Sequence, residues 1–374
     1  MGFDELCYKR ISYMTVFNTE KTAEQYLDSR PFLNPEPGLV DTINKKFPAI
    51  WDLYKQMRGY DWSEDDITHE SALIDFENAP KDTCDMMLKT LMWQWEADSV
   101  ASRAPTVIIA PFNPAMEIWA AEQRITDNEM IHAASYSEIV RTGVPNATTV
   151  IEQLLAETET FRRLDTVAKT LGEIQHYSRT IALNGVDSEE AALNNLVLFY
   201  FTMLVLERIQ FMASFAITFT IAESNWFQSI GQAVKLICRD EIEIHCQYRK
   251  AVIRAITATP NGKAAYERVK PQMQAILDEV TENELAWADW LFEGRSLLGT
   301  NAKQIKQFVL FAVRDVATFA GLESAHKLPK ENPMPFLVKW MDMSVMQAAP
   351  QEQDHGQYKF NTVTNDHQDE VFDI

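Results

Sequence analysis

Cysteine, glycine and basic residues are all scarce in this 374-residue chain. The four cysteines, Cys7, Cys84, Cys238 and Cys246, form no CxxC pair and no regular spacing. A disulfide framework is therefore not expected, and the thiols read as the reduced, buried cysteines of a cytoplasmic protein. None of the 12 glycines falls in a GxxxxGK, GxGxxG or GxSxG motif. That leaves no phosphate-cradling loop and no nucleophile elbow. Lys and Arg number 34 against 54 Asp and Glu, a formal charge of -20. Such a surface repels phosphate backbones and anionic lipid, so neither nucleic acid nor a membrane is an expected partner. The start, MGFDELCYKR, carries acidic residues and no apolar run, so no secretory signal is expected there. Alternating strand patterns and fixed-period repeats are missing as well.

What remains is helical. Hydrophobic residues make up 46% of the chain, and good helix formers dominate. We expect an all-α protein in three parts. Residues 1–40, with Pro31, Pro35 and Pro37, read as an irregular arm; 41–345 as a helical domain; 346–374 as a flexible acidic tail ending in Val371, Phe372 and Ile374. Apolar spacing predicts helices over 41–58, 80–101, 147–170, 173–184, 188–222, 226–256, 263–293 and 302–320. Asn113-Pro114 reads as the cap of another, running to about 141. Ser224-Asn225 reads as the cap of the helix at 226, and Pro260-Asn261-Gly262 as a turn. The most apolar stretch, Leu196–Ala222, is long enough to cross a membrane, yet Glu207, Arg208 and Gln210 sit in its middle. It reads as the core helix of a bundle. A carboxylate there must be paired, protonated or bound to metal.

Two acid–histidine pairs give that carboxylate company. Glu129 and His132 are three residues apart, Glu241 and His245 four, and both spacings place the pair on one helix face. With Asp98 and Glu207 they make the ligand set of ferritin-like dimetal bundles: one carboxylate from each of two helices, an acid–His pair from each of two others. Carboxylate and imidazole donors suit iron or manganese. His69, His176, His326, His355 and His367 lack such partners and are expected in surface or loop roles.

The segments around these residues resemble the small, radical-generating subunit of class I ribonucleotide reductases. The resemblance rests on WQWEADSVASRAP (Trp93–Pro105), NEMIHAASY (Asn128–Tyr136), LERIQFMASFAITFTIAE (Leu206–Glu223) and KLICRDE (Lys235–Glu241), and covers residues 40–255 best. It implies a ferritin-like bundle with additional helices, a homodimer, and two iron or manganese ions held by Asp98, Glu129, His132, Glu207, Glu241 and His245. It further implies that dioxygen drives formation of a radical on Tyr136, walled by Phe211, Phe215 and Ile237. Trp62, in GYDWSEDDI, with Asp240 and the tail tyrosine Tyr358 would relay the radical to a large catalytic subunit bound through the C-terminal tail. The family's second pair is Glu-x-x-His, whereas Glu241 and His245 have one residue more between them. Either a plain helix tolerates this or a π-bulge absorbs it; Glu243 would point to the opposite side. Two rival readings are a ferritin-like oxidase or monooxygenase acting on its own small substrate, and a metal-storage protein. Neither needs Tyr136, Trp62 or an anchored tail.

Overall fold

The computed structural model describes residues 28–35, 40–156 and 158–341. The tail, with Tyr358, and most of the expected N-terminal arm lie outside the described residues, as does Cys7. Helices run in order α1 Pro48–Gly59, α2 Glu70–Asn78, α3 Lys81–Ala101, α4 Ala104–Ile109, α5 Met116–Gly143, α6 Ala147–Ala156 and α7 Thr158–Asn184. They continue as α8 Glu189–Val205, α9 Phe211–Glu223, α10 Gln228–Arg239, α11 Cys246–Thr257, α12 Pro260–Phe292, α13 Ala302–Ala320 and α14 Val338–Met341. No strand occurs among the described residues, as an all-α reading requires.

α8 and α9 form one rod through the middle, joined by a π-helical turn at Leu206–Gln210. Every side chain from Phe199 to Ala222 except Arg208 is buried. The rod is long and apolar enough to cross a membrane, but 89% of its most apolar window is buried against other helices. α8 packs on α7, α11 and α12, while α9 packs on α3, α10 and α13. α3 also packs on α5, and α10 continues into α11 through a second π-helical turn, Asp240–His245. Four helical rods thus surround one interior, and the candidate ligands come from all four.

Several expected boundaries move for local reasons. The Asn113-Pro114 helix begins at Met116, because Asn113 takes a left-handed φ of 44°. Its carbonyl accepts from the backbone of Asn34, and Ala115 N–H donates to Pro31, so this corner docks residues 31–34. Gly172 does not split α7; it is exposed, and one exposed glycine costs about 1 kcal/mol, too little to break a helix anchored by buried Leu171 and Ile174. Ser224-Asn225 is not the cap of α10. Phe227 is, at φ 55°, held there by an N–H···Oδ2 bond to Asp75 of 2.8 Å. Pro260 opens α12 rather than a turn, with Thr259 Oγ1 capping Gly262 N–H at 3.0 Å.

Candidate metal centre

Asp98 comes from α3, Glu129 and His132 from α5, Glu207 from the first π-turn, and Glu241 and His245 from the second. All six are at most 1% exposed. Their donor atoms group as two overlapping sets: Asp98, Glu129, His132 and Glu241, and Glu129, Glu207, Glu241 and His245, each within 4.8 Å. Glu129 and Glu241 belong to both sets, as bridging carboxylates would. Each set adds one histidine and one terminal carboxylate of its own. His132 Nδ1 lies 3.4 Å from Glu129 and 3.3 Å from Glu241; His245 Nδ1 lies 3.4 Å and 3.2 Å from the same two side chains.

The five-spaced turns explain the sequence anomaly. Cys246 N–H bonds to Glu241 C=O and Phe211 N–H to Leu206 C=O, five residues back in each case. The wider turn returns His245 to the face of Glu241 across four residues, so the extra residue is absorbed by a π-bulge. Glu243 stays partly exposed and joins neither set.

Electrostatics make the pocket a place for cations. Burial, reinforced by Glu129, drives Asp98 well above the ordinary carboxylate range. Burial likewise lifts Glu207 to about 8, against the pull of Arg249. Burial opposes ionisation of Glu129 too, but the two histidines, each with Nδ1 3.4 Å away, outweigh it and hold that carboxyl low. Burial also opposes protonation of His245, yet Glu241 and Glu129 raise it to about 10. Both oxygens of Asp98 and of Glu241, Glu129 Oε2, Glu207 Oε2 and both histidine Nδ1 atoms have no hydrogen-bond partner. Buried polar atoms left so are rare in folded proteins, and here they converge. Six oxygen and nitrogen donors with two shared carboxylates fit two divalent ions of the iron or manganese type.

The structure describes the other expected residues except Tyr358. Tyr136 is fully buried on α5, and its hydroxyl has no hydrogen-bond partner. Burial, followed by the charge of Asp98, pushes its pKa far up, so the phenol stays protonated. Phe211, Phe215 and Ile237 are buried, the two phenyl rings 5.6 Å apart. Asp240 Oδ2 accepts from Trp62 Nε1 at 2.7 Å and from Asn128 Nδ2 at 3.2 Å, and lies 3.4 Å from His132 Nε2. A proton on Nε2 leaves the Nδ1 lone pair facing the carboxylates. The Trp62 and His132 rings stack 5.9 Å apart. Tyr358 lies outside the described residues.

A second set of buried polar residues escaped the sequence reading. Arg249 Nε donates to Glu207 Oε1 at 3.0 Å and its Nη1 to Glu122 at 2.5 Å. Tyr248 and Tyr200 hydroxyls donate to the other Glu122 oxygen at 2.7 and 3.3 Å. Arg163 lies between the rings of Trp93 and Trp287, pairs with Glu284, and donates to the Gln210 carbonyl at 2.7 Å. That bond pins the π-turn carrying Glu207. Glu122 is seven residues before Glu129 and Arg249 four after His245, so facing charges on the ligand stripes were the available signal. His69 takes the loop role expected of it, but not at the surface. It is 1% exposed at the start of α2, where burial lowers its pKa to about 4.

A family model for the ribonucleotide reductase small chain matches residues 40–333. The chain belongs to this family. The match spans helices α1 to α13, including all six candidate ligands. Among relatives, the ribonucleoside-diphosphate reductase subunit beta of Haemophilus influenzae is 25% identical, covering 95% of this chain and 98% of that one. The corresponding subunit of Enterobacteria phage T4 is 22% identical, with 96% and 97% covered. Solved structures share the fold. The ribonucleotide reductase R2 subunit from Clostridium botulinum superposes with a TM-score of 0.72 at 19% identity, covering 87% of this chain and 98% of that one. For the dimanganese(II)-NrdF of Streptococcus sanguinis the TM-score is 0.66 at 19% identity, with 82% and 99% covered. As a small chain of this oxidoreductase family, the protein has the ferritin-like bundle, with a buried carboxylate–histidine cluster able to hold two metal ions.

Proposed function

We propose that this chain is the radical-generating subunit of a ribonucleoside-diphosphate reductase. The observation that carries the reading is the pair of ligand sets sharing Glu129 and Glu241, with buried Tyr136 one helical turn beyond His132. Asp98, Glu129, His132, Glu207, Glu241 and His245 hold two iron or manganese ions. Once bound, that pair supplies one-electron oxidising power drawn from dioxygen. Tyr136 gives up an electron and its phenolic proton; Asp98, with both oxygens free of hydrogen bonds, is the acceptor this reading assigns. The phenoxyl radical then sits fully buried, with Phe211, Phe215 and Ile237 as its apolar wall, which shields it from reductants and water.

His132, Asp240 and Trp62 form the inner end of a relay, and the 2.7 Å Trp62–Asp240 bond supplies the acceptor for the indole proton when Trp62 is oxidised. Tyr358 and the tail 346–374 continue it to a large catalytic subunit, which binds the ribonucleotide. Membership of the small-chain family supports that partner and a homodimer. Cys84, Cys238 and Cys246 are free thiols, which suits the cytoplasm.

The test is electron paramagnetic resonance after adding Fe(II) or Mn(II) and oxygen to metal-free protein. A tyrosyl signal is expected in the wild type and none in Tyr136→Phe, which still takes up metal. Absence of a radical with both metals would refute the assignment.

A further inference from the structure

The two ligand sets are alike in type but not in surroundings. Asp98, the terminal carboxylate of the first, has both oxygens free of hydrogen bonds. Glu207, its counterpart in the second, has Oε1 committed to Arg249 Nε at 3.0 Å and only Oε2 free. Among the described ion pairs, Arg249 is the Arg or Lys side chain that touches a candidate ligand. It is fully buried and fixed from behind by Glu122, which accepts in turn from Tyr248 and Tyr200.

Resting on the dimetal reading, we propose that Arg249 is a positioning residue that makes the two metal positions unequal. It holds Glu207 to a single available oxygen and sets a fixed positive charge beside the second position. The first position, with His132 and Asp98, fills first; the second, with His245 and Glu207, fills later and more weakly. Counting charges supports this. Two divalent ions neutralise the four ligand carboxylates Asp98, Glu129, Glu207 and Glu241, while Glu122 and Arg249 neutralise each other. Arg249 therefore lends no net attraction to the ions and withdraws a donor from one of them. Removing a second-layer partner of a metal ligand shifts affinity by about 10–100-fold, the scale expected here.

The experiment is titration of the metal-free full-length chain with Mn(II), following free Mn(II) by paramagnetic resonance. Two steps are expected, with dissociation constants differing by more than about tenfold. Glu207→Gln should abolish the weak step and leave the tight one. Arg249→Lys keeps the cation and should keep the gap. The double variant Glu122→Gln/Arg249→Gln removes the pair together, avoiding an orphaned buried charge. It should bring the steps within about threefold while the tight step stays put, a pattern that general loosening of the fold would not produce. Two equal sites in the wild type, or an unchanged gap in the double variant, would overturn the proposal and leave the dimetal reading intact. Failure to bind any Mn(II) would overturn both.

Discussion

Asp240 does more than any other non-ligand in this centre, because one of its oxygens serves Trp62, Asn128 and His132 together while Arg239 Nε holds the other at 3.0 Å. Hydrogen bonds with His132, helped by Arg239, keep its carboxyl ionised against its burial. Asp240→Asn removes the charge that orients and strengthens the imidazole, and should weaken metal binding by about 10–100-fold in equilibrium dialysis. Trp62→Phe deletes only the 2.7 Å bond. The Tyr136 radical should still form, while nucleotide reduction with the large subunit falls to background; unchanged turnover would remove Trp62 from the relay. His69 makes a prediction of a different kind. Its pKa is about 4 in the fold and 6.5 when free, so folding favours the neutral ring. Its contribution to stability is present above pH 6.5 and is lost as pH falls through about 4. Between those values stability should drop by up to about 1.4 kcal/mol per pH unit, and denaturant melts of His69→Gln should lack that slope.

Among the elements, the two π-turns decide where Glu207 and His245 project. Each inserts one residue into an otherwise continuous rod, so α8 and α9, and α10 and α11, keep their packing on either side. Deleting Glu243, which is partly exposed, should let the second bulge collapse to an ordinary helix with a three-residue spacing like that of Glu129 and His132. The variant is expected to fold and to bind two metals; loss of α11 packing, seen as a collapsed melting temperature, would show that the bulge sets the register. Close approach governs the α9–α10 corner. A Cβ on Gly231 would sit 2.7 Å from Ala222 Cβ and 3.3 Å from Trp340. Gly231→Ala should destabilise by about 1–3 kcal/mol in a denaturant melt, since neither neighbour can swing aside.

The whole molecule wraps four carboxylates and two histidines with unpartnered donor atoms in an apolar bundle, so its stability should depend on metal. Ligand binding to the folded state alone stabilises by about 2.7 kcal/mol at a hundred times the dissociation constant. Adding Mn(II) to the metal-free chain should raise the melting temperature. Protons held by Glu207, near 8, and His245, near 10, should be released, so affinity should rise with pH through the neutral range. Deleting residues 346–374 should abolish binding to the large subunit while metal uptake is unchanged; retained binding would refute the tether.

Much of this was written in the chain itself. Helical periodicity, the buried Glu207 and the two acid–histidine pairs pointed to the bundle and to the six candidate ligands that the fold brings together, because residue spacing on a helix is a property of local sequence. Local sequence could not choose between a plain helix and a π-bulge at Glu241–His245, since the choice depends on how α10 and α11 pack on their neighbours. Nor could it reveal that Arg249 reaches Glu207, that Glu122 lies behind it, or that His69 is buried. Those facts join residues far apart in the chain, and only tertiary packing sets which charges face each other away from water.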